Sequence, residues 1–136
     1  MALPLLANID VDDLARAVEF YSAALGLRVA RRLAIGAVEL AGASAPIYLL
    51  ERPAGTVAAT GATERRDYRR HWTPVHLEFA VEDIGPAVER ACAAGARLEH
   101  EVSTHVWGRL AVLADPFGHG FCLIQFTGRG YGEVAV

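Results

Sequence analysis

The segment VDDLARAVEFYSAA, residues 11–24, is followed later in the chain by a close copy, VEDIGPAVERACAA, residues 81–94. Seven of the fourteen aligned positions are identical in the two segments. The preceding segments, PLLANIDV (4–11) and PVHLEFAV (74–81), both begin with proline and alternate toward a valine. Because the similarity extends over a strand-like segment and a helix-like segment together, it indicates two copies of one structural unit.

Each copy has the sequence features of a strand, a helix and three further strands. Asp12 or Asp13, and Asp83 in the second copy, precede the helical pattern, where aspartate accepts free N–H groups of the first turn. Gly26 and Gly95 follow that pattern, where glycine suits the end of a helix. The segments after each glycine alternate in polarity and are punctuated by turn residues, which predicts the three strands.

The predicted fold is α+β, with two β-α-β-β-β modules in a single domain, residues 1–136. The modules occupy residues 4–51 and 74–126, and a linker, residues 52–73, joins them. One helix covers only one face of each sheet. Two modules related by a pseudo-twofold axis can pair their bare faces and enclose an open cup, and a concave surface of this kind is where a small ligand is expected.

Composition and charge argue against several classes of protein. A hydrophobic fraction of 53% is that of a folded chain. No apolar run approaches the roughly 20 residues of a membrane span, and no basic segment opens the chain, so we expect a cytoplasmic protein. The net charge of −3 argues against a nucleic-acid partner. The segment ERRDYRR (64–70) mixes both signs of charge and is interpreted as a solvated part of the linker.

Three segments carry a resemblance to a known family: NIDVDDLARAVEFYSAALGL (8–27), HLEFAVEDIGPAVERACAAGA (76–96) and ADPFGHGFCLIQF (114–126). Together they resemble the vicinal oxygen chelate superfamily, which includes glyoxalase I, extradiol dioxygenases, fosfomycin resistance enzymes and bleomycin-binding proteins. The resemblance covers nearly the whole chain and implies the paired-module fold and a homodimer. It does not imply one function, because the scaffold hosts unrelated activities.

The resemblance also implies four metal-ligand positions, two in each module. They correspond here to Leu6, Tyr48, His76 and Cys122. Only His76 is a residue type that the family uses. Leu6 has no donor atom, and the phenol of Tyr48 keeps its proton at neutral pH. We therefore expect no four-ligand metal site and no resident cofactor, with a three-ligand zinc site of His76, Cys122 and Glu78 as the exception to be tested.

His76 and Glu78 are the candidate catalytic residues. They lie two positions apart on a predicted strand, so their side chains share one face, with Cα atoms about 7 Å apart. Burying both groups without a polar partner would be costly, which favours a polar site. His76 is open to three interpretations: a metal ligand, a base or hydrogen-bonding group in the cup, or a packed histidine without a role.

Four further residues are candidates for ligand contact. Tyr48 is expected on an inward strand position, Trp72 directly precedes the second module, and Trp107 occupies a place that rims the cup in relatives. Flat aromatic side chains suit planar or sugar-bearing ligands, although all three could also belong to the core. Cys122 is either a small buried apolar residue or a thiolate near His76. Cys92, in the middle of a helix, is interpreted as packing.

Two functions remain in view from the sequence. The first is a binding module of the antibiotic-sequestering kind, which holds a small, partly apolar or aromatic ligand in the cup without a metal. The alternative is an enzyme, a lyase, isomerase or dioxygenase, that uses His76 with Glu78 or Cys122. Such an enzyme would act either through a metal such as zinc or by acid–base catalysis.

Overall fold

A computed structural model describes all 136 residues, Met1–Val136, as two compact units that divide after Arg69. The first unit, Met1–Arg69, contains one helix and four strands. Its elements are β1 (Ala7–Val11), α1 (Leu14–Leu25), β2 (Arg28–Leu33), β3 (Ala37–Ala41) and β4 (Ile47–Glu51). The predicted order of strand, helix and three strands is confirmed for this unit.

The second unit, Arg70–Val136, repeats this order with one strand more. Its elements are β5 (Leu77–Ala80), α2 (Ile84–Ala94), β6 (Arg97–Leu98), β7 (Ser103–His105), β8 (Gly108–Ala114) and β9 (Gly120–Phe126), followed by a 3₁₀ turn (Gly130–Glu133). The segment ARLEHEV (96–102), predicted as one strand, forms only the short β6. β7 follows that segment and pairs with β8, and no strand was predicted at its position.

Both sheets are open and have the same arrangement of strands. The first has the order β1-β4-β3-β2, and the second has the order β5-β9-β8-β6 with β7 also beside β8. In each sheet the first strand runs parallel to the last, whereas the remaining pairs are antiparallel. One helix packs on each sheet, and the chain therefore has the predicted α+β fold with two sheets and two helices.

The register of the strands confirms the correspondence that the repeat predicts. Asn8 of β1 lies beside Tyr48 of β4, and Glu78 of β5 lies beside Cys122 of β9. Asn8 and Glu78 are 70 residues apart, the offset of the sequence repeat. Tyr48 and Cys122 therefore occupy equivalent places in their own sheets.

A second equivalence appears where each helix begins. The backbone N–H of Leu14 donates to Glu51 Oε2 at 2.8 Å, and the N–H of Ile84 donates to Gln125 Oε1 at 2.8 Å. Leu14 and Ile84 are the first residues of α1 and α2, and Glu51 and Gln125 are near the ends of the last strands. In both units a side chain of the last strand thus satisfies an N–H group that the helix leaves free.

Two interpretations of the sequence were wrong. The segment ERRDYRR is not a solvated linker throughout: Arg66, with 16% of its side chain exposed, bonds Asp10 Oδ2 at 2.7 Å, and Arg70 is also mostly buried. Residues 52–69 belong to the first compact unit. Cys92 is exposed on α2 instead of packed, because the buried face of that helix is formed by Ile84, Ala87 and Ala91. Neither helix has the length and apolar character that crossing a membrane requires.

Candidate functional site

The second unit brings together the histidine, the carboxylate and the thiol that the sequence singled out. His76 directly precedes β5, Glu78 lies within it, and the β5–β9 register places Cys122 beside Glu78. One donor atom from each of the three side chains lies within 4.8 Å of the others. Gln125, three positions along β9 from Cys122, contacts α2. Side chains three positions apart on a strand point to opposite faces of the sheet, so Cys122 lies on the face away from α2. His76 and Glu78 lie on that face with it.

His76 and Glu78 form the accessible part of this group. His76 Nε2 and Glu78 Oε1 are 3.6 Å apart, and about a third of each side chain is exposed, 35% and 34%. An ion pair forms here when the imidazole is protonated. The partial exposure leaves both groups able to meet a ligand or water.

Cys122 lies beneath them and is only 4% exposed. Burial, followed by the negative charge of Glu78 and a hydrogen bond with it, raises the pKa of the Cys122 thiol to about 11. The thiol is therefore protonated at neutral pH and donates its hydrogen to the Glu78 carboxylate. This arrangement disfavours the thiolate that a nucleophile or an unaided metal ligand requires.

Trp72 lies at the edge of the same group. Its ring is 5.4 Å from the His76 ring at an interplanar angle of 85°, and its indole Nε1 donates to Glu99 Oε1 at 3.0 Å. Glu99 in turn pairs with Arg70. The prediction that Trp72 adjoins the start of the second module's first strand is confirmed, and its contact with a ligand stays a prediction.

Trp107 belongs to a different cluster. It stacks on His105 with 4.4 Å between ring centroids, and its centroid lies 5.5 Å from that of Tyr131. Gly108, next to Trp107, pairs with Phe126 of β9. Phe126 is four positions from Cys122, so the Trp107 cluster lies about 13 Å along the strand from the His76 group. The structure thus does not bring Trp107 into the group of His76, and a ligand role for Trp107 would require a separate contact.

In the first unit, Tyr48 is part of a row of polar side chains across the sheet. Its hydroxyl donates to Glu39, which also accepts two bonds from Arg31, at 3.2 and 3.1 Å. The hydrogen bond from Tyr48, together with that from Arg31, lowers the pKa of the Glu39 carboxyl. The Tyr48 hydroxyl is therefore already used as a hydrogen-bond donor to the Glu39 carboxylate. Leu6 precedes β1 and is half exposed.

The four family positions therefore do not fit a divalent metal. Leu6 offers no donor, the Tyr48 hydroxyl is used by Glu39, and the Cys122 thiol is protonated. Of the four, only His76 offers a ready ligand atom. A metal ion at this site would have to use the different set of His76, Glu78 and Cys122.

Three residues around Trp72 were missed by the sequence reasoning. Arg70 stood within the segment read as solvated, Glu99 follows a short strand without any motif, and Gly120 belonged to a predicted turn. The signal for Arg70 was its place two residues before Trp72 in the sequence. No local pattern pointed to Glu99, since its partners lie 29 and 27 residues away.

A comparison with protein families decides which family this scaffold represents. The sequence model of a protein family described as a glyoxalase-like domain matches residues 7–124 of this chain. The chain belongs to the glyoxalase-like domain family. Solved structures of the glyoxalase/bleomycin resistance/dioxygenase family share its fold, and the predicted resemblance to the vicinal oxygen chelate superfamily is confirmed.

The glyoxalase-like domain is also similar to proteins named for antibiotic chemistry. It is 34% identical over 128 residues to the anthracycline biosynthesis protein DnrV of Streptomyces peucetius, an alignment that covers 91% of this chain and 41% of DnrV. The chain therefore spans less than half the length of this relative.

Two solved structures illustrate the shared fold of this glyoxalase-like domain. The fosfomycin resistance protein FosX of Listeria monocytogenes aligns with a TM-score of 0.71 at 18% identity, over 93% of this chain and 95% of FosX. The antibiotic-binding protein TnmS3 of Streptomyces sp. CB03234 aligns with a TM-score of 0.65 at 20% identity, over 93% and 98%. At these identities the likeness concerns the fold alone.

Proposed function

We propose that this domain binds a small, planar, partly aromatic ligand of the antibiotic class, and does so without a resident metal. The observation that carries the proposal is the pair of partly exposed polar side chains, His76 and Glu78, with the half-exposed Trp72 against the imidazole. Such a combination of a few polar groups with an aromatic surface is typical of small-molecule sites.

Each side chain would contribute a different interaction. The Trp72 indole offers an apolar surface to an aromatic ring. The Glu78 carboxylate accepts hydrogen bonds from a phenol or an amine, and the His76 imidazole donates or accepts according to its protonation. The 34% sequence identity to DnrV, which is named for anthracycline biosynthesis, supports an anthracycline or a related polycyclic compound as the first ligand to test.

The absence of metal in this proposal follows from the chemistry of the donors. Two of the four family positions, Leu6 and Tyr48, supply no ligand, and the Cys122 thiol keeps its proton. A ligand can instead be bound by hydrogen bonds and aromatic contact. In this proposal the expected activity is binding without turnover.

Calorimetric titration with an anthracycline tests the proposal, and fosfomycin, which has no aromatic ring, provides the comparison. We expect saturable binding of the anthracycline and none of fosfomycin. His76→Ala and Glu78→Gln should each weaken binding by roughly 1–3 kcal/mol, the value of a buried hydrogen bond to a charged group. Glu133→Gln, at the C-terminal turn, is the matched control and should leave affinity unchanged.

Two results would count against the proposal. If folded protein binds neither compound, or binds fosfomycin in preference, the planar-ligand assignment is wrong. If anthracycline binding is unaffected by both His76→Ala and Glu78→Gln, the ligand lies elsewhere. Native mass spectrometry of freshly purified protein would then show whether another small molecule is retained.

A second candidate function is favoured by one observation, the closeness of the His76, Glu78 and Cys122 donor atoms. An imidazole, a carboxylate and a thiolate are zinc ligands, and three protein ligands with one open position are typical of catalytic zinc. In this case the protein would be an enzyme with His76 and Glu78 at its centre.

Elemental analysis separates the two candidates. Protein purified without affinity tag or chelator should contain no stoichiometric zinc, iron or nickel under the first proposal. Stoichiometric metal that is lost in His76→Ala would favour the enzyme. Added zinc at about pH 7.5 must displace the Cys122 proton, so its binding should release protons and strengthen as the pH rises.

A further inference from the structure

We propose that Arg70 and Glu99 are positioning residues for the candidate ligand site, because together they fix the Trp72 indole against His76. The inference rests on the proposed function, since it gives the orientation of Trp72 a purpose in ligand recognition. Neither residue belongs to the His76–Glu78–Cys122 group itself.

The Arg70–Glu99 pair is joined by two hydrogen bonds and is mostly buried. Arg70 Nε donates to Glu99 Oε2 at 2.6 Å, and Arg70 Nη2 donates to Glu99 Oε1 at 2.6 Å. The side chains are 20% and 17% exposed. Two parallel bonds between a guanidinium and a carboxylate fix the relative orientation of both groups, which a single contact would leave free.

Each member of the pair also contacts Trp72. Glu99 Oε1 accepts the indole N–H at 3.0 Å, and the guanidinium carbon of Arg70 lies 4.5 Å from the centroid of the indole ring. The first contact fixes the edge of the ring, and the second is a cation–π contact with its face. An indole with both contacts has little freedom to rotate, although 43% of Trp72 is exposed.

Gly120 provides a third restraint. A Cβ atom added at Gly120 would lie 2.5–2.6 Å from three atoms of the Trp72 ring. The indole therefore packs directly on the backbone of β9, and any side chain at position 120 would push it away. Glycine is required at this position by close approach.

The position of Trp72 then determines the surroundings of His76. The two rings are nearly perpendicular at 5.4 Å, and His76 Nε2 is directed to Glu78 at 3.6 Å. A displaced indole would lose its contact with the imidazole and change the shape of the aromatic surface. We therefore expect Arg70 and Glu99 to influence ligand affinity without touching the ligand.

The experiment uses a Trp107→Phe background, in which Trp72 is the remaining tryptophan. Glu99→Ala, Arg70→Met and Gly120→Ala are each introduced there. Glu133→Gln is the matched control, because it removes another ion pair of the second unit, Arg129–Glu133, also at 2.6 Å. The readouts are Trp72 fluorescence, the proton chemical shifts of the His76 imidazole and the affinity for an anthracycline.

We expect the three variants to shift Trp72 emission to longer wavelength and to move the His76 proton shifts, because both depend on the indole position. Anthracycline affinity should fall about tenfold, equivalent to about 1.4 kcal/mol. Glu99→Gln retains an oxygen that can accept the indole N–H and should lie between Glu99→Ala and the parent. The control should match the parent in all three readouts.

Unchanged Trp72 emission and His76 shifts in folded Glu99→Ala and Arg70→Met would overturn the inference, and so would parental anthracycline affinity in variants whose spectra shift. If one variant fails to fold, the other and Gly120→Ala provide the same test. Spectral shifts as expected in a protein that binds no anthracycline would support the positioning role and contradict the proposed function. The two failures are therefore distinguishable.

Discussion

At the scale of single residues, the surroundings of Cys122 determine its chemistry. The thiol is buried and adjoins a carboxylate, so the thiolate form is penalised by lost solvation and by like charge. A folded-state pKa of about 11 lies above that of a free thiol. The thiol thus stabilises the fold at neutral pH, and this contribution is lost as the pH rises from the unfolded pKa through the folded one.

Alkylation should separate the two cysteines. At about pH 8, iodoacetamide should modify the exposed Cys92 and leave Cys122 intact in folded protein. Glu78→Gln removes the neighbouring charge and should lower the pKa of Cys122 and speed its modification. Peptide mass spectrometry gives both rates, and unfolded protein provides the reference. Equal rates for Cys92 and Cys122 in the folded parent would contradict this account.

Tyr48 and Glu39 permit a second test at this scale. The hydrogen bond from Tyr48 lowers the pKa of Glu39, so Tyr48→Phe should raise that pKa toward its ordinary value. A lowered carboxyl pKa stabilises the fold above the unfolded pKa and loses this effect as the pH falls through the folded one. The stability deficit of Tyr48→Phe should therefore shrink in acid.

Carbon NMR titration of the Glu39 carboxyl, together with denaturant unfolding at several pH values, measures both effects. Tyr131→Phe, which changes a half-exposed tyrosine of the C-terminal turn, is the matched control. A Glu39 pKa that is the same in Tyr48→Phe and the parent would show that the hydroxyl contact is absent in solution.

Residue-level predictions succeeded where they depended on strand geometry. The shared face of His76 and Glu78 followed from strand alternation, and the adjacency of Cys122 followed from the ligand positions that the family resemblance implies. The contacts of Trp72 with Arg70 and Glu99 did not follow, since they depend on side-chain directions between segments distant in sequence. The grouping of Trp107 with His105 depends on the β7–β8 hairpin, and β7 lies in a segment where no strand was predicted.

At the scale of elements, the two helices begin in different ways although their sequences match. Asp13 Oδ1 accepts the N–H of Arg16 at 3.0 Å, whereas Asp83 makes no such side-chain bond at the start of α2. The sequence predicted both aspartates as caps, because their residue type suits that position. Residue type does not determine the side-chain rotamer, so the missing Asp83 bond could not be predicted. The bond from Ile84 to Gln125 is present in any case.

The helix caps should respond differently to substitution. Asp13→Ala should lower the free energy of unfolding by about 1 kcal/mol, since it leaves a helix N–H without its partner. Asp83→Ala, the matched control, should cost clearly less. Urea unfolding followed by circular dichroism measures both, and an equal loss in the two variants would show that the Asp13 bond does not stabilise α1.

At the scale of the whole molecule, the repeat and the polarity pattern were sufficient to predict two helices and two open sheets. Periodicity carries this information because each unit buries one helix face on one sheet face. The division of the chain after Arg69 was not predicted, since the burial of Arg66 through Asp10 joins the segment after β4 to the first unit.

We expect a homodimer, as the family resemblance implies. Sedimentation equilibrium at micromolar protein should give twice the monomer mass of 14.6 kDa. The Trp107→Phe protein should behave in the same way and serves as a control for the fluorescence experiments. A monomer across the accessible concentration range would refute the expectation.

The bonds from Leu14 to Glu51 and from Ile84 to Gln125 have a consequence for the order of folding. They close intervals of 37 and 41 residues, so neither helix obtains this partner until the last strand of its unit is in place. During synthesis, α1 emerges well before Glu51 and remains incompletely bonded until then. Contacts between residues this far apart in sequence slow folding. They also link the start of each helix to the last strand, so each unit should form its helix and its sheet together.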